Sequence, residues 1–240
     1  MRIHDFAIDL LSRLRIEQQN TPGKERRFIF ICHSLGGLVL KQALITASLR
    51  SNQYGSILKS TYGVVFMATP HQGSRSASLA RHFSRIVNIT TFGTGVRTEL
   101  LQDLELSSGT LEQLSHLCVS LLEGLAIVSF YEQKPLGPSM VCASDLESQN
   151  NVDKTSSQIV EPFSAILGLP NERAIPINAD HRRIACVSPQ SEHQYLPVWK
   201  AIAELVSGEP RPLVSFEYTT ESISPVEPLC LAFPPSRKQM

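Results

Sequence analysis

Three side chains have the types and the chain order that nucleophilic acyl chemistry needs: Ser34, Glu132 and His181. A serine hydroxyl attacks only when a base takes its proton, and the base works only when a third group orients it. Ser34 ends the apolar run Phe28-Ile29-Phe30-Ile31-Cys32-His33 and precedes Leu35-Gly36-Gly37 and the helix-forming run Leu38-Val39-Leu40-Lys41-Gln42-Ala43. This pattern predicts a strand, a sharp turn with Ser34 at its apex, and a helix, the arrangement that projects a serine hydroxyl clear of the backbone. Gly36 is expected where a side chain would collide with strand or helix. The N-terminus of the following helix presents free N–H groups and a partial positive charge, so the Leu35 N–H is the expected oxyanion donor. The first position of the five-residue turn motif is Cys32 where glycine is usual, which a small side chain tolerates at some steric cost. The plainer alternative is a buried strand that merely ends in Ser-Leu-Gly-Gly.

Seven histidines compete for the base. His4, His82 and His116 fall in helical runs and His193 starts a helix, so surface roles suffice for them. His33 adjoins Ser34 and is expected to point away from it, while His71, in a loop after a strand, is expected to line a pocket together with Thr69 and His33. His181 lies in the polar loop Asn178-Ala179-Asp180-His181-Arg182-Arg183 after the strand segment Ala174–Ile177, where a base belongs in the order serine, acid, histidine. Glu132 directly ends a strand and is the first choice of acid. Asp153 and Glu161 are rivals, and Asp180 is too close in sequence to His181 for a good orienting bond.

The surrounding periodicities supply a scaffold. Helical spacing of Ile3, Phe6, Ala7, Leu10, Leu11 and Leu14 predicts a helix over 3–18, stopped by Thr21-Pro22-Gly23. Strands are expected at 27–32, 62–68 and 126–131, with a short one starting at Gln158-Ile159-Val160. Helices are expected at 36–49, in pieces over 76–123, and at 192–206 with Leu196, Val198, Trp199, Ile202, Ala203 and Leu205 mostly inward. Alternating strands and helices imply an α/β fold, a mostly parallel sheet with helices on both faces and ligands at the carboxyl ends of the strands. Ser34, Thr69, Glu132 and His181 all lie at or after such ends.

Composition narrows the class. Among 240 residues, 42% are hydrophobic, 18% are charged and the net charge is zero, so nothing favours nucleic acid or an anionic membrane surface. Five scattered cysteines (Cys32, Cys118, Cys142, Cys186, Cys230) have no metal or disulfide spacing and read as free thiols of a reducing, intracellular compartment. There is no bilayer-spanning run, no signal peptide, no phosphate-binding loop, no dinucleotide fingerprint and no zinc spacing, so no cofactor or metal is expected.

The domain is expected over 1–207, with the polar stretch 143–157 as loop or part of an insertion over 139–157. The final 33 residues, 208–240, hold six of the 15 prolines without periodicity and read as a mobile tail. The strand at 27–32 is apolar on both faces and should not lie at an open sheet edge, so the beginning of the domain is expected to be missing from this chain.

The runs Phe30-Ile31-Cys32-His33-Ser34-Leu35-Gly36-Gly37-Leu38-Val39, Phe66-Met67-Ala68-Thr69-Pro70-His71-Gln72-Gly73-Ser74, Ser129-Phe130-Tyr131-Glu132 and Ser164-Ala165-Ile166-Leu167-Gly168, followed by Asp180-His181, resemble the lipase-like α/β-hydrolases. The nearest resemblance is to the serine-active-site-containing (SERAC1-type, DUF676-like) family, abundant in fungi and sometimes fused to NACHT or ankyrin-repeat modules. The resemblance spans roughly 3–206. It implies a Ser-acid-His triad acting on an ester or acyl lipid, with Ser34, Glu132 and His181 at the matching positions. It also implies peripheral association with mitochondrial or endoplasmic-reticulum membranes. Gln72 replaces an arginine of the family's pattern. The family's early strands, with the His-Gly loop that supplies a second oxyanion donor, have no counterpart here. Two alternatives stay open: a catalytically inactive signalling or interaction module, and an acyltransferase in which an alcohol replaces water.

Overall fold

A computed structural model describes residues 2–20, 27–71, 116–135 and 158–208. Their elements are α1 (Ile3–Gln19), β1 (Phe28–His33), α2 (Gly36–Leu49), α3 (Ser51–Ser60), β2 (Thr61–Met67), β3 (Ala126–Glu132), α4 (Pro162–Ala165), β4 (Glu172–Ile177), a 3-10 turn (Arg183–Ala185) and α5 (Glu192–Ser207). Residues 116–122 are helical as well. The strands form one parallel sheet in the order β1-β2-β3-β4. Parallel pairing requires every connection to cross a face of the sheet, and this brings all four carboxyl ends to one edge.

The alternation of side chains along β2 and β3 divides the core. Val64, Phe66 and Ile127 face α1, α2 and the helical residues 116–122, packing on Leu38, Leu40, Leu44 and Leu122. Val65, Met67, Val128 and Phe130 face α5 and pack on Val198, Ala201 and Leu205. Central parallel strands are covered on both faces, so they are nearly all apolar. α3 has no counterpart in the sequence reading. Its Tyr54 and Ile57 close a smaller cluster with Ala7, Leu11, Ala43 and Ala47.

Two expectations are corrected. Residues 158–160 are not a strand; the fourth strand is Glu172–Ile177. Leu196 and Trp199 of α5 are not inward: Trp199 is 54% exposed and stacks on Tyr195 at 6.2 Å. The residues that meet the sheet, Val198, Ala201 and Leu205, recur at ordinary helical spacing, and Leu196 and Trp199 lie off that stripe. β1 pairs with β2 and has no partner on its other side among the described residues, the arrangement expected for this chain, with Ile31 55% exposed. The expected helices over 76–115, the stretch 139–157 with Asp153, and the tail beyond Gly208 lie outside the described residues.

The glycine pair after Ser34 also divides differently. A Cβ at Gly36 would meet nothing within 4 Å, whereas one at Gly37 would lie 2.3 Å from Thr69 Cγ2 and 2.5 Å from its Oγ1. Gly37, not Gly36, is the close approach of α2 to the end of β2. Thr69 is buried and β-branched, so it has little room to yield. Gly37→Ala is therefore expected to lower stability by about 1–3 kcal/mol, while Gly36→Ala is neutral or gains up to about 1 kcal/mol of helix propensity. Paired thermal melts check this, and equal losses at both positions would contradict it.

Candidate active site

β1 ends and α2 begins across a single left-handed residue. Ser34 has φ 54°, and the neighbouring strand end has a second such residue, Ala68, with φ 47°. Each costs about 1–2 kcal/mol for a residue with a Cβ and must be held by its surroundings. The holding bonds are visible. Ser34 N–H donates to Met67 O at 3.0 Å and Ala68 N–H to Phe130 O at 2.8 Å, so each strand end is pinned to its neighbour at the point of reversal. Leu35 caps α2, and its own N–H makes no hydrogen bond with a described residue.

The polar loop after β4 folds back over this turn. His181 Nε2 lies 2.9 Å from Ser34 Oγ. His181 Nδ1 lies 3.4 Å from Glu132 Oε1, a close approach rather than a well-aligned hydrogen bond. Glu132 Oε1 also accepts the Val160 N–H at 2.5 Å. All three side chains are buried, Ser34 being 2% exposed. Serine, imidazole and carboxylate thus follow one another, each from a different strand end, with Ser34 and His181 147 positions apart in the chain.

No protein-family model matches the sequence. The chain is 38% identical over 69 residues to Protein SERAC1 of Mus musculus, covering 29% of this chain and 10% of that protein. It is 26% identical over 176 residues to Protein SERAC1 of Danio rerio, covering 72% of this chain and 22% of that one. The chain is thus similar to SERAC1 proteins over part of its length, and its own parallel sheet with helices on both faces is an α/β fold. The chain spans between about a tenth and about a fifth of the length of these relatives. A solved structure from a study of carboxylesterases of Nitrososphaera gargenis overlays at TM-score 0.40 with 12% identity, covering 83% of this chain and 72% of that one.

Among the described residues the rival groups are elsewhere. Glu161 is the exposed N-cap of α4. Asp180 Oδ1 accepts the N–H groups of Arg182 and Arg183 at 3.0 and 2.9 Å, shaping the loop rather than touching His181. His4 and His116 are exposed on helices. Burial pushes the Cys32 thiol up to about 12, so it is no rival nucleophile beside Ser34. Thr69 packs against the Gly37 position, and His71 is buried edge-on against Phe66 at 4.5 Å. The His71 N–H donates to Ser164 O at 2.7 Å, tying the loop after β2 to α4. His33 lies beside the base, its ring centroid 5.1 Å from that of His181 and its Nε2 2.8 Å from His181 O.

The sequence reading missed three supports. Val160 sets the Glu132 carboxylate. Glu172 receives the N–H groups of Leu167 and Gly168 at 3.0 and 2.7 Å and so fixes the segment that carries Val160. His33 reaches the base's loop. None of these has a local sequence signal, because each partner is distant in the chain or is a backbone group. Among the described residues no three His, Cys, Asp or Glu side chains gather as a metal site, and no helix is long and apolar enough to cross a membrane.

Burial holds His71 well below the ordinary histidine range, with the nearby Lys41 charge acting in the same direction. Lys41 is itself buried on α2 and lowered to about 8. The unfolded chain takes up a proton on His71 as pH falls through about 6.5, whereas the folded chain does not. The contribution is therefore intact above pH 6.5 and is lost as pH falls below it, at up to about 1.4 kcal/mol per pH unit. His71→Phe, which keeps a ring against Phe66, is expected to flatten the dependence of melting temperature on pH between about 6.5 and 5. An unchanged slope would count against a buried neutral His71.

Proposed function

We propose that this chain is a serine hydrolase of ester or acyl substrates, with Ser34 as nucleophile, His181 as base, Glu132 as its orienter and the Leu35 N–H as oxyanion donor. The observation that carries the reading is the 2.9 Å contact of His181 Nε2 with the hydroxyl of a serine held at positive φ between strand and helix. In the first step Ser34 Oγ bonds to the carbonyl carbon while its proton passes to His181 Nε2. The carbonyl oxygen takes the negative charge toward the Leu35 N–H. His181 then gives that proton to the leaving alcohol, and the acyl group stays on Ser34. Water repeats the sequence, releasing the acid and restoring the serine. The Glu132 carboxylate offsets the imidazolium charge.

A fluorophosphonate probe tests this directly. Covalent labelling at Ser34, competed by a short p-nitrophenyl ester, is expected. A folded preparation that never labels would overturn the reading. An ester-bearing lipid is the finer substrate reading and rests on the motif resemblance alone. A series of p-nitrophenyl esters of increasing acyl length reads it through kcat/KM.

A further inference from the structure

We infer that His33 is a positioning residue for His181, acting through the hydrogen bond from its imidazole to the His181 backbone carbonyl. The inference rests on the serine hydrolase reading above. A carbonyl oxygen only accepts, so His33 Nε2 carries the proton and donates across 2.8 Å.

The need for such a bond follows from the sheet. β1, which delivers Ser34, and β4, which precedes His181, are the two outer strands of the order β1-β2-β3-β4. Two strands intervene, and at about 4.8 Å per strand the ladders place the two supports roughly 14 Å apart. Twist and spacing errors add across that distance, so ladder bonds alone set the position of His181 relative to Ser34 poorly.

The remaining ties do not replace the bond. Ala179 N–H donates to Ile177 O at 2.7 Å and Lys134 N–H to Ala179 O at 3.0 Å, which fix the loop to β4 and β3 but not to β1. The Glu132 carboxylate approaches Nδ1 only to 3.4 Å. Among the described residues, the hydrogen bonds from the nucleophile's turn to the His181 residue are two: the reacting contact with Ser34 Oγ, and His33. The second persists when the first breaks during proton transfer. Burial first, and then the His181 charge, lower the His33 pKa, while its bond to the His181 carbonyl acts the other way; the net direction favours the neutral ring.

The test compares three variants of the 240-residue chain. Gln places an amide N–H2 where the imidazole Nε2–H is; Asn is too short to reach; Phe keeps the ring and removes the donor. The readouts are the second-order rate of Ser34 phosphonylation by the fluorophosphonate probe, and kcat and KM on p-nitrophenyl butyrate. A misplacement near 1 Å costs up to about 10²-fold. His33→Phe and His33→Asn are therefore expected to lose about 10- to 100-fold in phosphonylation rate and kcat, with KM within about threefold, and His33→Gln to stay within about threefold of wild type. Melting curves identify a variant that fails to fold, and the Gln/Asn pair then decides alone. Wild-type rates in His33→Phe or His33→Asn, or a His33→Gln as slow as His33→Asn with matching melts, would overturn the inference while leaving the nucleophile reading intact. Absence of labelling in the wild type would overturn the hydrolase reading, and the inference with it.

Discussion

Ser34→Ala is expected to abolish ester turnover, by about 10⁴-fold or more, while leaving the fold and its melting temperature nearly unchanged. The loss is large because the bond-forming atom itself is removed and no neighbouring group replaces it: Cys32 is buried as a thiol and faces the core with Leu38 and Leu40. A second substitution separates chemistry from backbone strain. Ser34 holds φ 54°, where alanine is as strained as serine but glycine is not. Ser34→Gly should be equally inactive yet more stable than Ser34→Ala by about 1 kcal/mol. Measured together, kcat on p-nitrophenyl butyrate and thermal melts give a clear outcome. Residual turnover near wild type in either variant would remove Ser34 from the mechanism. A glycine variant less stable than the alanine variant would remove the strain argument.

Glu132→Gln carries the second large effect. The glutamine oxygen can take the Oε1 position, keep the Val160 N–H satisfied and still accept from His181 Nδ1. What it cannot supply is negative charge beside the imidazolium that forms during proton transfer, in a site with no exposed surface. A fall of about 10²–10³-fold in kcat is expected, with a melting temperature close to wild type. Glu132→Ala should lose activity and also about 1–3 kcal/mol of stability, because the buried Val160 N–H is then left without an acceptor. If kcat survives in Glu132→Gln, the carboxylate acts only as a clamp for residues 158–160. The 3.4 Å separation makes this comparison informative, since it leaves the orienting bond open to tightening when substrate binds.

The legibility of this protein in its sequence follows the range of the interactions involved. The strand at 28–33, the turn at Ser34 and the helix from Gly36 are local, and a switch from continuous apolar residues to helical periodicity writes them plainly. The same holds for β2, β3 and α5. Parallel pairing follows from alternation of strands and helices, and with it the convergence of carboxyl ends. Ser34, Glu132 and His181 could be named because each ends or follows a strand, and the structure brings their side chains within 2.9 and 3.4 Å of one another in turn. The short strand expected at 158–160 failed for a physical reason. Its apolar residues Ile159 and Val160 are buried by packing on the α2 face of the sheet rather than by pairing, and an apolar triplet has no period to tell the two apart. Leu196 and Trp199 were misplaced because apolar type was read as inward, whereas the stripe of Val198, Ala201 and Leu205 at helical spacing leaves both off the buried face.

What only the tertiary structure decided is contact between distant backbones. Gly36 and Gly37 are identical in sequence, and only the approach of Thr69 tells them apart. Glu132 is set by a backbone N–H 28 residues away, and His33 reaches a carbonyl 148 residues away. Backbone groups are the same at every position, so no residue type marks which of them a side chain will meet. The sequence therefore determined which side chains have chemistry and which strand ends carry them. The folded chain decided what holds them, because that depends on distances summed across four strands.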